Sequence, residues 1–315
     1  MTLHCPGCGA GPLRPVGRLP LAPLLQAWRR PPFQVEVAGL FPAGCRELRH
    51  WRCAACDLQG FDPAPAGDEA FYTALQKQAW YYQDDKPEHH QLARLLAGQA
   101  AGTVLEPGCG AGHLARHLPP GWRYRGLEPN PAGRARARAS GLDVGAHDLA
   151  DETGLYEVVC HFQVLEHVSD PLGFLQQGVA RLAPGGLMAV AVPADDAWPG
   201  VAPGAWLNLP PHHLTRWSDR ALTLALERVG LRVEGLWHEP LAAVHQADHA
   251  DAMAHWAWQS LWGPAAGGGP AGRGPLQRLA WKWPGLRQAL ARRGCRRHPG
   301  AGRGHTVMAW GRRLQ

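Results

Sequence analysis

The chain has 315 residues, 45% hydrophobic and 18% charged, which suits one ordinary domain with an appendage, or two modest domains, and excludes a disordered protein. Its formal charge is +6, yet residues 272–315 hold 11 Arg or Lys and no Asp or Glu, leaving −5 for the rest. That asymmetry suits an anionic partner, although 29 Arg against 3 Lys, with no Ile anywhere, also fits GC-rich coding.

The first residues lack the charged and apolar regions of a secretion signal, and no run approaches the roughly 18 apolar residues of a membrane helix. The expectation is a soluble, cytoplasmic protein without a membrane span. Residues 1–66, rich in Pro and Gly, read as a small first domain. Cys5-Pro6-Gly7-Cys8 and Cys53-Ala54-Ala55-Cys56, 44 residues apart, supply four soft thiolates in two tight turns, the donor set of a tetrahedral zinc site. Residues 33–37 and 48–52 are predicted strands that bring the second pair to the first. The arrangement resembles a zinc ribbon, and so small a core makes a structural zinc the expectation, with Cys5, Cys8, Cys53 and Cys56 as ligands. Cys45, His4 and His50 are alternative ligands; Cys109, Cys160 and Cys295 are expected to pack.

The breaker cluster at 61–67 reads as a linker. Residues 67–102 form a helical lead-in, with Leu92, Leu95 and Leu96 at helical spacing. From Thr103 to the end, short apolar runs alternate with helical patterns, the mark of βα units and a mostly parallel sheet. Predicted strands are 104–106, 124–128, 142–146, 156–162, 187–192 and 231–237, with 305–310 as the last. Helical faces are legible in Leu172, Leu175, Val179 and Leu182, and in Leu222, Ala225, Leu226 and Val229. Residues 243–304 read as a Trp- and Arg-rich insertion with two short helices, near 252–262 and 276–293, split by Gly267-Gly268-Gly269.

The run Glu106-Pro107-Gly108-Cys109-Gly110-Ala111-Gly112 follows a strand and opens toward a predicted helix near His113, where glycines let a ligand approach the backbone. A dinucleotide site would have Gly-x-Gly-x-x-Gly, and a carboxylate ending the strand would repel a pyrophosphate. Glu106 suits a cationic ligand instead. Glu-x-Gly-x-Gly-x-Gly resembles motif I of the class I S-adenosylmethionine-dependent methyltransferases, and later segments match in order. The resemblance implies that Glu128 holds the donor's ribose, that Asp148 and Leu149 meet its adenine, and that Gln163, in Phe162-Gln163-Val164-Leu165-Glu166-His167, lies beside its methionine part, with Gly108, Cys109, Gly110 and Gly112 in the loop. Leu182-Ala183-Pro184-Gly185-Gly186 resembles the turn before the fifth strand. Glu157 departs from the family's usual Asp.

What the resemblance implies is a Rossmann-like α/β fold with a central, mostly parallel seven-stranded sheet, a zinc ribbon in front, and S-adenosyl-L-methionine as methyl donor. In Pro210-Pro211-His212-His213, which resembles a segment of many small-molecule methyltransferases, His212 and His213 are candidate proton acceptors; His167 is a third candidate. Trp198, Trp206, Trp256, Trp258, Trp262, Trp281 and Trp283 are candidates for an acceptor wall, and Tyr81 and Tyr82 for a cover on the donor. The expected substrate is a small-molecule or glycan-like acceptor. The alternatives are RNA, met through the ribbon and the basic carboxyl-terminal region, or a non-catalytic zinc-containing interaction protein.

Overall fold

The computed structural model describes residues 4–78, 81, 83–263 and 273–314. Strand β1 (Leu13–Pro20) runs antiparallel to β2 (Glu47–Cys53), with Leu13 opposite Cys53, and β2 pairs with β3 (Gln59–Asp62). Helix α1 (Leu21–Arg29) sends Leu21, Leu24 and Trp28 inward from one face. Residues 33–37 do not form the predicted strand. Phe33, Val35 and Val37 do alternate into the core, but Gln34 has φ 56° and the Val35 N–H bonds the Trp28 carbonyl, so no ladder forms there. The predicted linker at 61–67 begins inside β3.

The lead-in is two helices, α2 (Glu69–Leu75) and α3 (Pro87–Leu96). Asp68 caps α2 by accepting from the Phe71 N–H at 2.8 Å, and Pro87 starts α3 at a position where a missing N–H costs nothing. Tyr82 lies outside the described residues, as do Gly267, Gly268 and Gly269.

Next come β4 (Thr103–Pro107), β5 (Arg123–Leu127), α4 (Pro131–Ala139), β6 (Val144–Gly145), β7 (Tyr156–Phe162), α5 (Pro171–Ala180) and β8 (Leu182–Pro193). The predicted helix after the glycine loop is only a 3-10 turn, His113–His117, because Pro119-Pro120 cuts it short. Leu182 already pairs with Tyr156 and Leu187 with Val158, so the Pro-Gly-Gly turn is a bulge within β8. A short helix α6 (Trp198–Val201), strand β9 (Thr215–Arg216), α7 (Asp219–Arg228) and β10 (Leu231–Pro240) follow. The insertion carries three helices rather than two: α8 (Gln246–Trp262), α9 (Pro275–Ala280) and α10 (Pro284–Arg297). Pro284 divides the second predicted helix. Strand β11 (Arg303–Arg313) ends the fold.

The larger sheet has seven strands in the order β10-β11-β8-β7-β4-β5-β6, and β11 alone runs against the rest. The order reverses between β4 and β7, where such sheets open a crevice at their carboxyl ends. The smaller sheet, β1-β2-β3, takes β9 as its fourth strand. One apolar cluster joins the two regions: Cys5, Cys8, Cys53, Cys56 and Leu58 pack with Trp217 and with Leu222 and Leu226 of α7.

Candidate functional site

At the crevice, a cavity of about 660 Å³ is lined by the glycine loop, the ends of β5 and β7, the lead-in helices and the loop before β9. That volume falls in the range of small-molecule sites, roughly 300–1,000 Å³. Its wall carries Glu88, Glu106, Glu128, Glu166 and Glu239 against Lys86, the one Lys or Arg among the described lining residues. Such a wall favours a cationic guest.

At one end, β4 stops at Pro107 and the chain turns through Gly108 and Gly112, at φ 72° and 73°. A Cβ on Gly108 would stand 2.7 Å from Val164 Cγ2, so only glycine lets the loop lie this close to the turn after β7. Glu128 fixes the loop: its carboxylate accepts from the Gly110 N–H at 2.7 Å and the Asn130 N–H at 2.8 Å. Burial raises its pKa while these two bonds oppose the rise. Glu106, 5% exposed, accepts from the Tyr124 hydroxyl, yet burial pushes it up to about 7. An ionised Glu106 at neutral pH therefore calls for a cation beside it. Cys109 packs its side chain with Ala137 and Val144 and is also among the residues lining the cavity. Gln163 holds φ 58°, a strained backbone for a side-chain-bearing residue, and its amide donates to Glu88 at 3.2 Å.

Gly112, Asp148 and Leu149 lie outside the cavity wall. Gly112 is the hinge into the 3-10 turn, Asp148 is exposed and Leu149 is buried in the core. None of the seven tryptophans lines the cavity either. Trp258 packs with Trp262 and Trp281 among the insertion's helices, and Trp198 meets the lining residues His245, tilted, and His305, edge-on.

At the other end, His167, His212 and His213 meet in a cluster with ring centroids 4.5–4.9 Å apart. His167 Nδ1 donates to the His212 carbonyl at 2.5 Å, His212 Nδ1 to the Leu207 carbonyl at 2.9 Å, and His213 Nδ1 to Asn208 Oδ1 at 2.8 Å. Asn208 is oriented by its own amide, which donates to Pro199. Burial pushes His167 down to about 4 and holds His212 and His213 well below the usual histidine value, so all three rings are neutral at pH 7 with a lone pair on Nε2. Tyr81 Oη approaches His212 Nε2 at 3.4 Å, and Trp28 and Phe71 pack their rings beside His212.

Sequence reasoning missed Tyr72, Glu88, Glu166 and Glu239 in this wall. Glu166 adjoins His167 in the matched segment and was the one within reach; the others come from separate elements with no motif around them.

Away from the cavity, the four cysteines of the two Cys-x-x-Cys pairs are buried with their sulfurs all within 4.8 Å. Cys5 and Cys56 lie 3.6 Å apart and Cys8 and Cys53 3.8 Å. Zn–S bonds near 2.3 Å place tetrahedral sulfurs about 3.8 Å apart, so the set fits zinc. His4, Cys45 and His50 stand outside the cluster; His50 stacks on Phe61. Cys160 is buried in β7 and Cys295 is exposed on α10.

Sheet order, crevice and glycine loop together define a class I methyltransferase fold. Residues 86–236 match the family model described as a methyltransferase domain. The chain is 29% identical over 198 residues, 60% of this chain and 75% of the other, to a probable S-adenosylmethionine-dependent methyltransferase of Mycolicibacterium smegmatis. It is 37% identical over 98 residues to the ubiquinone biosynthesis O-methyltransferase of Methylocella silvestris, a match spanning 28% of this chain and 38% of that one. Among solved structures, the N-methyltransferase NodS of Bradyrhizobium japonicum, in complex with S-adenosyl-L-homocysteine, superposes with a TM-score of 0.45 at 16% identity, covering 78% of this chain and 98% of that one.

Proposed function

We propose that this protein transfers a methyl group from S-adenosylmethionine to a hydroxyl-bearing small-molecule or glycan-like acceptor. One observation carries the reading: a single cavity joins the glycine loop with Glu106 and Glu128 at one end to His167, His212 and His213 at the other. S-adenosylmethionine supplies a methyl group made electrophilic by its sulfonium. Glu106 would meet the donor's cationic part, and Glu128, already bonded to the loop, its ribose; Gly108, Cys109, Gly110 and Gln163 would line its path. Asp148 and Leu149 stay candidates for the adenine, beyond the cavity wall.

His212 and His213 are the acceptor-side residues. Their lone pairs take a hydrogen bond from the acceptor hydroxyl and aim its oxygen along the cavity, while α2 and Tyr81 exclude water. The cavity favours a small acceptor over RNA, because the arginine-rich α10 contributes nothing to its wall. The Cys5, Cys8, Cys53 and Cys56 set holds zinc in a structural role, closed to substrate by burial.

Calorimetry tests the donor site. Glu128→Ala, which frees the Gly110 and Asn130 N–H groups, should weaken S-adenosylmethionine by about 2–3 kcal/mol, roughly 30–150-fold. Binding as tight as wild type would overturn the assignment. Methyl transfer to hydroxylated small molecules should barely respond to salt, whereas transfer to RNA would fall steeply.

A further inference from the structure

The histidine cluster is made entirely of acceptors. Each imidazole commits Nδ1–H to a carbonyl oxygen, which leaves Nε2 without a proton, the arrangement that orients histidines for ligation. Glu166, 1% exposed, adds a carboxylate with Oε1 3.7 Å from His167 Nε2 and 3.9 Å from His213 Nε2. Neither Glu166 oxygen has a hydrogen-bond partner among the described residues. Three imidazole nitrogens and a buried carboxyl group facing one cavity form the donor set of a cation site.

We propose that His167, His212 and His213 hold a divalent first-row transition-metal ion of the zinc type, with Glu166 beside it and a coordination position open to the cavity. The proposal rests on the methyltransferase reading only for what the ion does there: it meets the acceptor oxygen where the bare lone pairs otherwise would. A ring nitrogen of each histidine already lies within 4.8 Å of the others. Metal–nitrogen bonds of about 2.1 Å set such atoms about 3.4 Å apart, so closure asks for side-chain adjustment on the order of 1 Å. Imidazole donors select zinc, cobalt, nickel or iron over magnesium or calcium, and three histidines with an open position make a Lewis-acid site rather than a closed structural one.

The full chain, loaded at its cysteine site, is titrated with Co²⁺ while visible absorption and metal content are followed. The expected result is one further equivalent, showing d–d bands without thiolate charge transfer. His213→Gln and His167→Gln should each weaken that equivalent more than tenfold and leave the thiolate-bound metal in place. Uptake ending at the cysteine site, or a further equivalent indifferent to both substitutions, overturns the proposal. Should the variants fail to fold, pulsed electron resonance of wild type loaded with Cu²⁺ decides: imidazole nitrogen couplings support the site and their absence rejects it. S-adenosylmethionine calorimetry on the same samples separates the two readings, since lost donor binding with retained Co²⁺ binding would sink the methyltransferase reading alone.

Discussion

The two ends of the cavity are built in opposite ways. The donor end is essentially one crossing from β4 to β5: Glu106, the glycine loop and Glu128 lie within 23 consecutive residues, tied by bonds such as Gly110 N–H to Glu128. The acceptor end gathers α2, the turn after β7, the loop before β9 and, behind His212, Trp28 of the amino-terminal module. A site built from one short segment survives damage elsewhere. A site gathered from four depends on everything that positions them.

The sharpest way to break this contrast is to remove the proposed zinc. Cys53→Ser should cost on the order of 5 kcal/mol or more. Hydrogen exchange should then rise throughout β1, β2 and α1 and around His212, while β4 and β5 stay protected; uniform protection would show that the cysteine site holds nothing together.

Next in size is the link between the two sheets. Asp195 and Arg216, 5% and 8% exposed, pair at 2.5 Å, and Gln59 of β3 donates to the same carboxylate. Arg216→Ala strands a buried charge and should cost about 3–5 kcal/mol by calorimetric melting, with much of it recovered on adding Asp195→Asn.

The donor end should respond to pH. Since Glu106 has its pKa raised to about 7, it is neutral below that value and ionised above it. Affinity for the cationic donor should fall as pH drops from 8 to 6, by up to about tenfold per unit. The sign for the free protein is opposite. A raised carboxyl favours folding while protonated, so the contribution of Glu106 to stability is lost as pH climbs from the unfolded value toward 7. Glu106→Gln should flatten both profiles.

The smallest expected effect is Trp283→Ala. Trp283 is 69% exposed and remote from the cavity wall, so KM for any acceptor should stay within twofold. A large change would bring the insertion back as part of the acceptor site.

Legibility followed the same division. Glu106, Gly108 and Glu128 could be read because strand-end carboxylates and glycines at fixed spacing are local requirements of a backbone turn. The tryptophans misled because an aromatic side chain serves a helix interface and a ligand wall equally well, and nothing in spacing separates the two. Glu88 and Glu239 carried no motif; their place in the wall depends on α3 and β10 arriving at the same crevice.

By itself the sequence determined the alternation of strands and helices, the glycine turn and the two Cys-x-x-Cys pairs, all of which are patterns within short stretches of chain. Only the tertiary structure decided that β9 completes the amino-terminal sheet, that Trp28 backs His212, and that three histidines share a pocket with the buried Glu166. These are contacts between distant segments, set by which apolar faces pack together, and a linear pattern holds no record of that choice until the chain has folded.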